Sequence, residues 1–462
     1  MRSNTITRRD FLRTAVAAAS LAALPYQAGA AAPSLLRAGA SRAALVGSRG
    51  PQTEVWAYEG TVPGPELRFK QGDRLRLEIE NFLPDATTVH WHGVRVPNAM
   101  DGVPHLTQEP IKAEGGRFVY EFALKDAGTY WYHPHLGAPE QVGRGLYGPL
   151  IVDDAEPPPV DRDVTWMLGD WRLDRAARIV GNFRSFMDAS HAGRIGNTVT
   201  VNGAIQESFE LRAGERVRLR LVNAANARIF GLDFRGHEPL VIALDGHPVA
   251  PHRPEGGRVV LGPSMRADIL LDATGEPGSV HQVVDDFYAR RAYRLLDLRY
   301  AKERVRGRAG APPPSLAPNP LSEPDLANAE RHRVRFEGGM MGRMPMMGMR
   351  SGMAWTVNGK AVADDRHGHE PIFTAAHGRS QIVELVNDTS WHHPIHLHGH
   401  VFRVLSRNGK PTAHREWLDT VLIDPENRAE IAFVADNPGD WMLHCHVLEH
   451  QASGMMAVIR VA

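Results

Sequence analysis

The chain holds one cysteine, Cys445, in the stretch "HCHVLEHQASGMM", with His444 and His446 on either side and His450 and Met455 downstream. A lone thiol has no disulfide partner within the chain, so its chemistry is that of a reactive group or a metal ligand. Histidine supplies the second clue. It makes up 23 of 462 residues, so a His-x-His pattern would arise about once by chance, yet it occurs six times. Four of these stand in patterned contexts: "HWHG" (His90, His92), "YHPHLG" (His133, His135), "HPIHLHGH" (His393, His396, His398, His400) and "HCH" (His444, His446).

In an extended strand, residues two apart point to one face and the residue between them to the other. Each pair therefore presents two imidazoles side by side, and in "HCH" the thiol faces away from both. His393 is an odd number of positions from His396 and is followed by Pro394, which sides it with Cys445. Adding His450 and Met455 gives two imidazoles, a thiolate and a thioether, the ligand set of a blue-copper electron-transfer site. The remaining His90, His92, His133, His135, His396, His398, His444 and His446 carry no carboxylate in their patterns. Such a set suits a small group of copper ions better than zinc hydrolysis or a 2-His-1-carboxylate iron site. A surface or structural role is the plainer alternative for any single pair; the pattern as a whole argues against it, because buried polar groups need partners.

These side chains need strands to hold them. Three segments share a phrase: "GTVPGPELRFKQGDRLRLEIEN" (60–81), "VNGAIQESFELRAGERVRLRLVN" (201–223) and "VNGKAVADDRHGHEPIFTAAHGRSQIVELVND" (357–388). Each has a glycine-bearing turn followed by alternation such as Val217, Leu219 and Leu221, the period of a half-buried strand. Proline clusters at "DDAEPPPV" and "AGAPPPSLAPNPLSEPD" separate the repeats, the second reading as an extended connector. An all-β fold of three β-sandwich domains follows, at about 45–155, 160–305 and 330–462. Lys plus Arg and Asp plus Glu balance at 53 each, so no single-sign field points to nucleic acid or an anionic membrane. Residues 1–32 contain Arg8-Arg9-Asp10-Phe11-Leu12, an apolar run from Ala15 to Leu24 and the small residues Ala28-Gly29-Ala30. That is a twin-arginine export signal, implying a periplasmic protein. The run is too short to anchor in a bilayer, which takes roughly 20 residues.

The four histidine motifs together resemble the multicopper oxidases, specifically the three-domain bacterial laccase and cuprous-oxidase group, over nearly the whole mature chain. The resemblance implies three cupredoxin-like Greek-key sandwiches and four copper ions. His393, Cys445, His450 and Met455 would hold the type 1 copper, His90 and His396 the type 2 copper, and His92, His133, His135, His398, His444 and His446 the type 3 pair. The cluster would lie between the first and last domains, with the middle one a spacer. Electrons from a small-molecule or Cu(I) donor would pass from Cys445 through His444 and His446 to reduce dioxygen to water. Asp101, in "NAMDGVP", matches a family aspartate near the type 2 side and is the catalytic acid candidate. Many relatives carry an acid after the last type 1 histidine, where this chain has Gln451; Glu449 is a substitute.

Seven of the 15 methionines fall within Gly338–Met353, "GGMMGRMPMMGMRSGM". Thioethers prefer Cu(I), and related cuprous oxidases carry a methionine-rich insert here, so an extra Cu(I) site in the segment 338–353 is one reading. A flexible lid over an organic substrate is the other. Trp391 stands where some cuprous oxidases place a methionine, with Asp388 nearby; His367, His369, His377, His392 and His414 read as surface residues. A copper nitrite reductase would lack the type 3 pairs, and a non-catalytic periplasmic copper store would bind copper without consuming oxygen.

Overall fold

The computed structural model describes residues 34–340, 353–362 and 370–462. The export signal, all of the methionine-rich segment but its ends, and His367 and His369 lie outside the described residues. Among the described residues no helix is long and apolar enough to cross a membrane.

Strands pair into six sheets, taken two at a time around separate apolar cores. The repeated phrases explain how each pair closes. In all three, a short strand (Leu67–Lys70, Ser208–Ala213, Phe373–Ala375) lies parallel to the last strand of its sandwich. The chain then crosses to the opposite sheet, where the next strand (Arg74–Asn81, Arg216–Asn223, Ser380–Asn387) runs parallel to the first. Gly72, Gly214 and Gly378 make the crossing with φ of 92°, 97° and 77°, a left-handed backbone that glycine adopts without a Cβ clash. Asn81, Asn223 and Asn387 end the second strand, fully buried, each donating its amide to backbone carbonyls of neighbouring loops.

The half-buried reading of the middle repeat is overturned. Every residue of Arg216–Asn223 is buried, because its polar face meets the first sandwich instead of water. Arg218 donates to Asp268 at 2.7 Å and Asp154 at 2.5 Å; Arg220 donates to Asp163 at 2.7 Å and to Thr129 Oγ1 at 2.9 Å. A guanidinium survives burial only when its N–H groups are paired in this way. The proline-rich connector runs without regular structure, and its Asn319 is pinned to Ala127 and His247.

Candidate metal centre

The strands His393–Leu397 and Gly439–Cys445 are antiparallel neighbours, with Ile395 opposite Cys445 and His396 opposite His444. Alternation along this pair puts His393 and Cys445 on one face and His396 and His444 on the other. On the first face, Cys445 Sγ lies 3.3 Å from His393 Nδ1 and 3.7 Å from His450 Nδ1, and the two nitrogens are 3.2 Å apart. The short helix Leu448–Ala452 delivers His450, and Met455 is buried in the same core as Cys445, its carbonyl accepting the Cys445 N–H at 3.1 Å. The outward nitrogens are both spoken for. His393 Nε2 donates to Thr389 Oγ1 at 2.8 Å and His450 Nε2 to the His191 carbonyl at 2.6 Å. Trp355 packs on both rings, with centroids 5.1 and 4.3 Å away.

The other face assembles the imidazoles. His90–His92 pairs with Gly128–His133 so that His90 stands opposite His133, and His135 follows in the loop. These meet the imidazoles of the last sandwich in three metal-sized groups: His90, His92 and His396; His92, His133 and His446; and His135, His398 and His444. His398 Nε2 approaches His444 Nε2 to 3.0 Å, and His446 Nε2 approaches His133 Nε2 to 3.4 Å. Bonds of about 2 Å to one ion would leave imidazole nitrogens about this far apart. His393, Cys445 and His450 form a separate group.

Chemistry and satisfaction both fit copper. His90 Nε2, His92 Nδ1 and His396 Nε2 are buried without hydrogen-bond partners, which is costly unless a cation takes the lone pair. Burial, reinforced by neighbouring imidazoles, pushes His92, His133, His398, His444 and His446 well below the ordinary histidine range, so the rings are neutral and able to ligate. Burial likewise lowers His450 to about 3. It also pushes the Cys445 thiol up, so that this sulfur ionises only against a positive charge.

One of the candidate acids touches the cluster. Asp101, wholly buried, accepts His398 Nδ1–H at 2.9 Å through Oδ2, and its carbonyl accepts His90 Nδ1–H at 2.8 Å. Glu449 is buried too, taking N–H bonds from Arg194 at 3.0 Å and Asn226 at 2.9 Å, and burial raises its carboxyl. Asp388 is half exposed and paired with Arg335 at 2.8 Å. His377 and His414 are exposed and His392 half buried, outside the metal-sized groups among the described residues. Trp391 donates to the Met340 carbonyl at 3.0 Å and meets the His191 ring at 5.4 Å.

Sequence reasoning missed Asp419. Wholly buried, it takes His92 Nε2–H at 3.0 Å and lies 3.3 Å from His396 Nδ1. Burial works to raise its carboxyl, but Arg266 and the two imidazoles hold it well below the ordinary carboxylate range, while burial and the Asp419 charge push Asp245 up to about 7. A signal existed: a lone carboxylate inside the apolar run "WLDTVLI" must be buried, and a buried charge needs partners.

Three multicopper oxidase family models match the chain, over residues 41–157, 162–290 and 342–462. The chain is 31% identical over 444 residues to the multicopper oxidase MmcO of Mycobacterium tuberculosis, covering 88% of this chain and 83% of that one. It is 26% identical to a copper resistance protein A homolog of Pseudomonas syringae pv. tomato, covering 87% and 88%. The crystal structure of a multi-copper oxidase from Pseudomonas thermotolerans superposes with a TM-score of 0.84 at 38% identity, over 93% of this chain and 98% of that one. The chain therefore belongs to the multicopper oxidase family. It is accordingly an oxidoreductase of three cupredoxin-like domains that uses dioxygen as its acceptor.

Proposed function

We propose that His393, Cys445, His450 and Met455 hold one copper ion, His90 and His396 a second, and His92, His133 and His446 with His135, His398 and His444 a further pair. When bound, copper supplies one-electron redox chemistry, taking electrons from a donor on the sulfur side and giving four to dioxygen on the imidazole side. The chain supplies the link. Cys445 is bonded through one peptide unit each to His444 and His446, whose rings face the opposite site. Asp101 is positioned to hold a proton beside His398 and His90, and Glu449 is a second, raised carboxyl near the sulfur site.

The observation that carries the reading is the set of buried imidazole nitrogens without partners, converging from two sandwiches. Its test is the variant Cys445→Ser, in which the intense blue absorption of a thiolate–copper bond should vanish from a folded protein. A retained blue band would refute the Cys445 assignment.

For the donor, we favour Cu(I) in copper tolerance, with residues 1–32 directing export to the periplasm. The methionine density of 338–353 and the name of the copper resistance relative support this. Phenols and aromatic amines are the competing donors, favoured by Trp391 where a thioether would serve Cu(I). Steady-state oxygen consumption with Cu(I) and with a phenol, in the intact chain and in one lacking 341–352, separates them. Equal loss for both donors, or none, argues for the lid.

A further inference from the structure

The second sandwich contributes nothing to the five metal-sized groups among the described residues, yet it reaches the cluster imidazoles through a buried ion pair. Arg266 opens the strand Arg266–Asp272 and is wholly buried. Its Nη1 and Nη2 donate to the two oxygens of Asp419 at 2.9 and 2.5 Å. Nη2 also donates to the Asp245 carbonyl at 3.0 Å, Nη1 to that of Ser264 at 3.4 Å, and Nε to that of Thr129 at 3.1 Å. Every N–H of the guanidinium is used, and the fork fixes the plane of the carboxylate. Asp245 braces the same point, its Oδ2 accepting the main-chain N–H of Thr420 at 3.1 Å and its Oδ1 that of Arg266 at 2.9 Å.

The consequence is a choice of ring nitrogen. His90, His133, His396, His398 and His444 take their supporting bonds through Nδ1, to Asp101, Pro134, Asp419, Asp101 and Cys445, leaving Nε2 for the cluster. His92 alone among these is held through Nε2, by Asp419, and its Nδ1 is the nitrogen without a partner. The chain is shaped for this clamp. At Gly93, with φ of 85°, a Cβ would lie 2.3 Å from Arg266 Nη2 and 2.6 Å from Asp419 Oδ2, so the "HWHG" glycine clears space for the ion pair.

We propose that Arg266 is a positioning residue for the cluster: by clamping Asp419 it makes His92 present Nδ1, so the second sandwich sets cluster geometry without supplying a ligand. The inference rests on the ligand assignment above. Outer partners of this kind tune metal affinity by about 10- to 100-fold.

The test uses purified, copper-loaded full chain, titrated with a chelator, with copper per chain and the blue absorption read in parallel. In Arg266→Gln, cluster copper should be lost at about 10- to 100-fold lower chelator than in the parent, the blue band unchanged, with Arg266→Lys intermediate. Arg218→Gln removes an equally buried guanidinium that does not touch Asp419, and should hold cluster copper as the parent does. Equal release from Arg266→Gln and Arg218→Gln would overturn the proposal in favour of simple sandwich docking. So would retention by Arg266→Gln. If Arg266→Gln does not fold, Arg266→Met/Asp419→Leu replaces both charges with apolar groups; parental copper retention in that folded variant overturns the proposal. A parent chain that binds only the blue copper would instead refute the cluster assignment itself.

Discussion

The sulfur site and the imidazole cluster stand back to back on the same two strands, but they are built on different scales. His393, Cys445, His450 and Met455 all belong to the last sandwich, three of them within residues 445–455. The cluster joins imidazoles from the first and last sandwiches, and one of its supports, Asp419, is braced by Arg266 and Asp245 of the second. A site made by one local fold tolerates changes elsewhere; a site made at an interface inherits every tolerance of the docking. The two centres should therefore be separable by mutation, in either direction.

Cys445→Ser attacks the link itself and carries the largest expected effect: blue absorption disappears and oxygen uptake falls to background with any donor, while chelator titration still finds cluster copper. His446→Ala sharpens the contrast by sparing the sulfur. Oxygen uptake should stop, yet the blue band should persist and bleach when a donor is added; normal turnover would count against the cluster. Asp101→Asn keeps the hydrogen-bond acceptor but removes the acid. We expect oxygen uptake to drop by about 10²-fold or more, with donor-driven bleaching of the blue band unchanged in stopped flow. Smallest is Thr389→Val, which deprives His393 Nε2 of its acceptor. Denaturant unfolding should show about 1 kcal/mol lost, together with a shifted redox potential of the blue copper and no change in cluster copper.

How much of this was legible depended on how far each contact reaches. The parity of "HCH" assigns its three side chains to two faces, as the grouping shows although the strand itself ends at Cys445, and the same rule separates His393 from His396. Asp101 was found by motif likeness. Asp419, Arg266 and Asp245 belong to no histidine or cysteine motif and carry no periodic signature, and the contacts of Arg266 with Asp419, Asp245 with Thr420 and Asp419 with His92 span 153, 175 and 327 residues. The strand Arg216–Asn223 reads as half buried from its alternation and is wholly buried in the structure for the same reason: alternation reports which face is apolar, not what covers the other one.

By itself the sequence determined the strand period, the repeated crossing turn and the facing of thiol and imidazoles, because each follows from backbone geometry over a few residues. Only the tertiary structure decided which imidazoles share a group and which nitrogen of each ring points inward. For His92 and His398 the choice is made by a buried carboxylate arriving from another sandwich, Asp419 and Asp101 in turn, whose charge must find a partner once water is excluded.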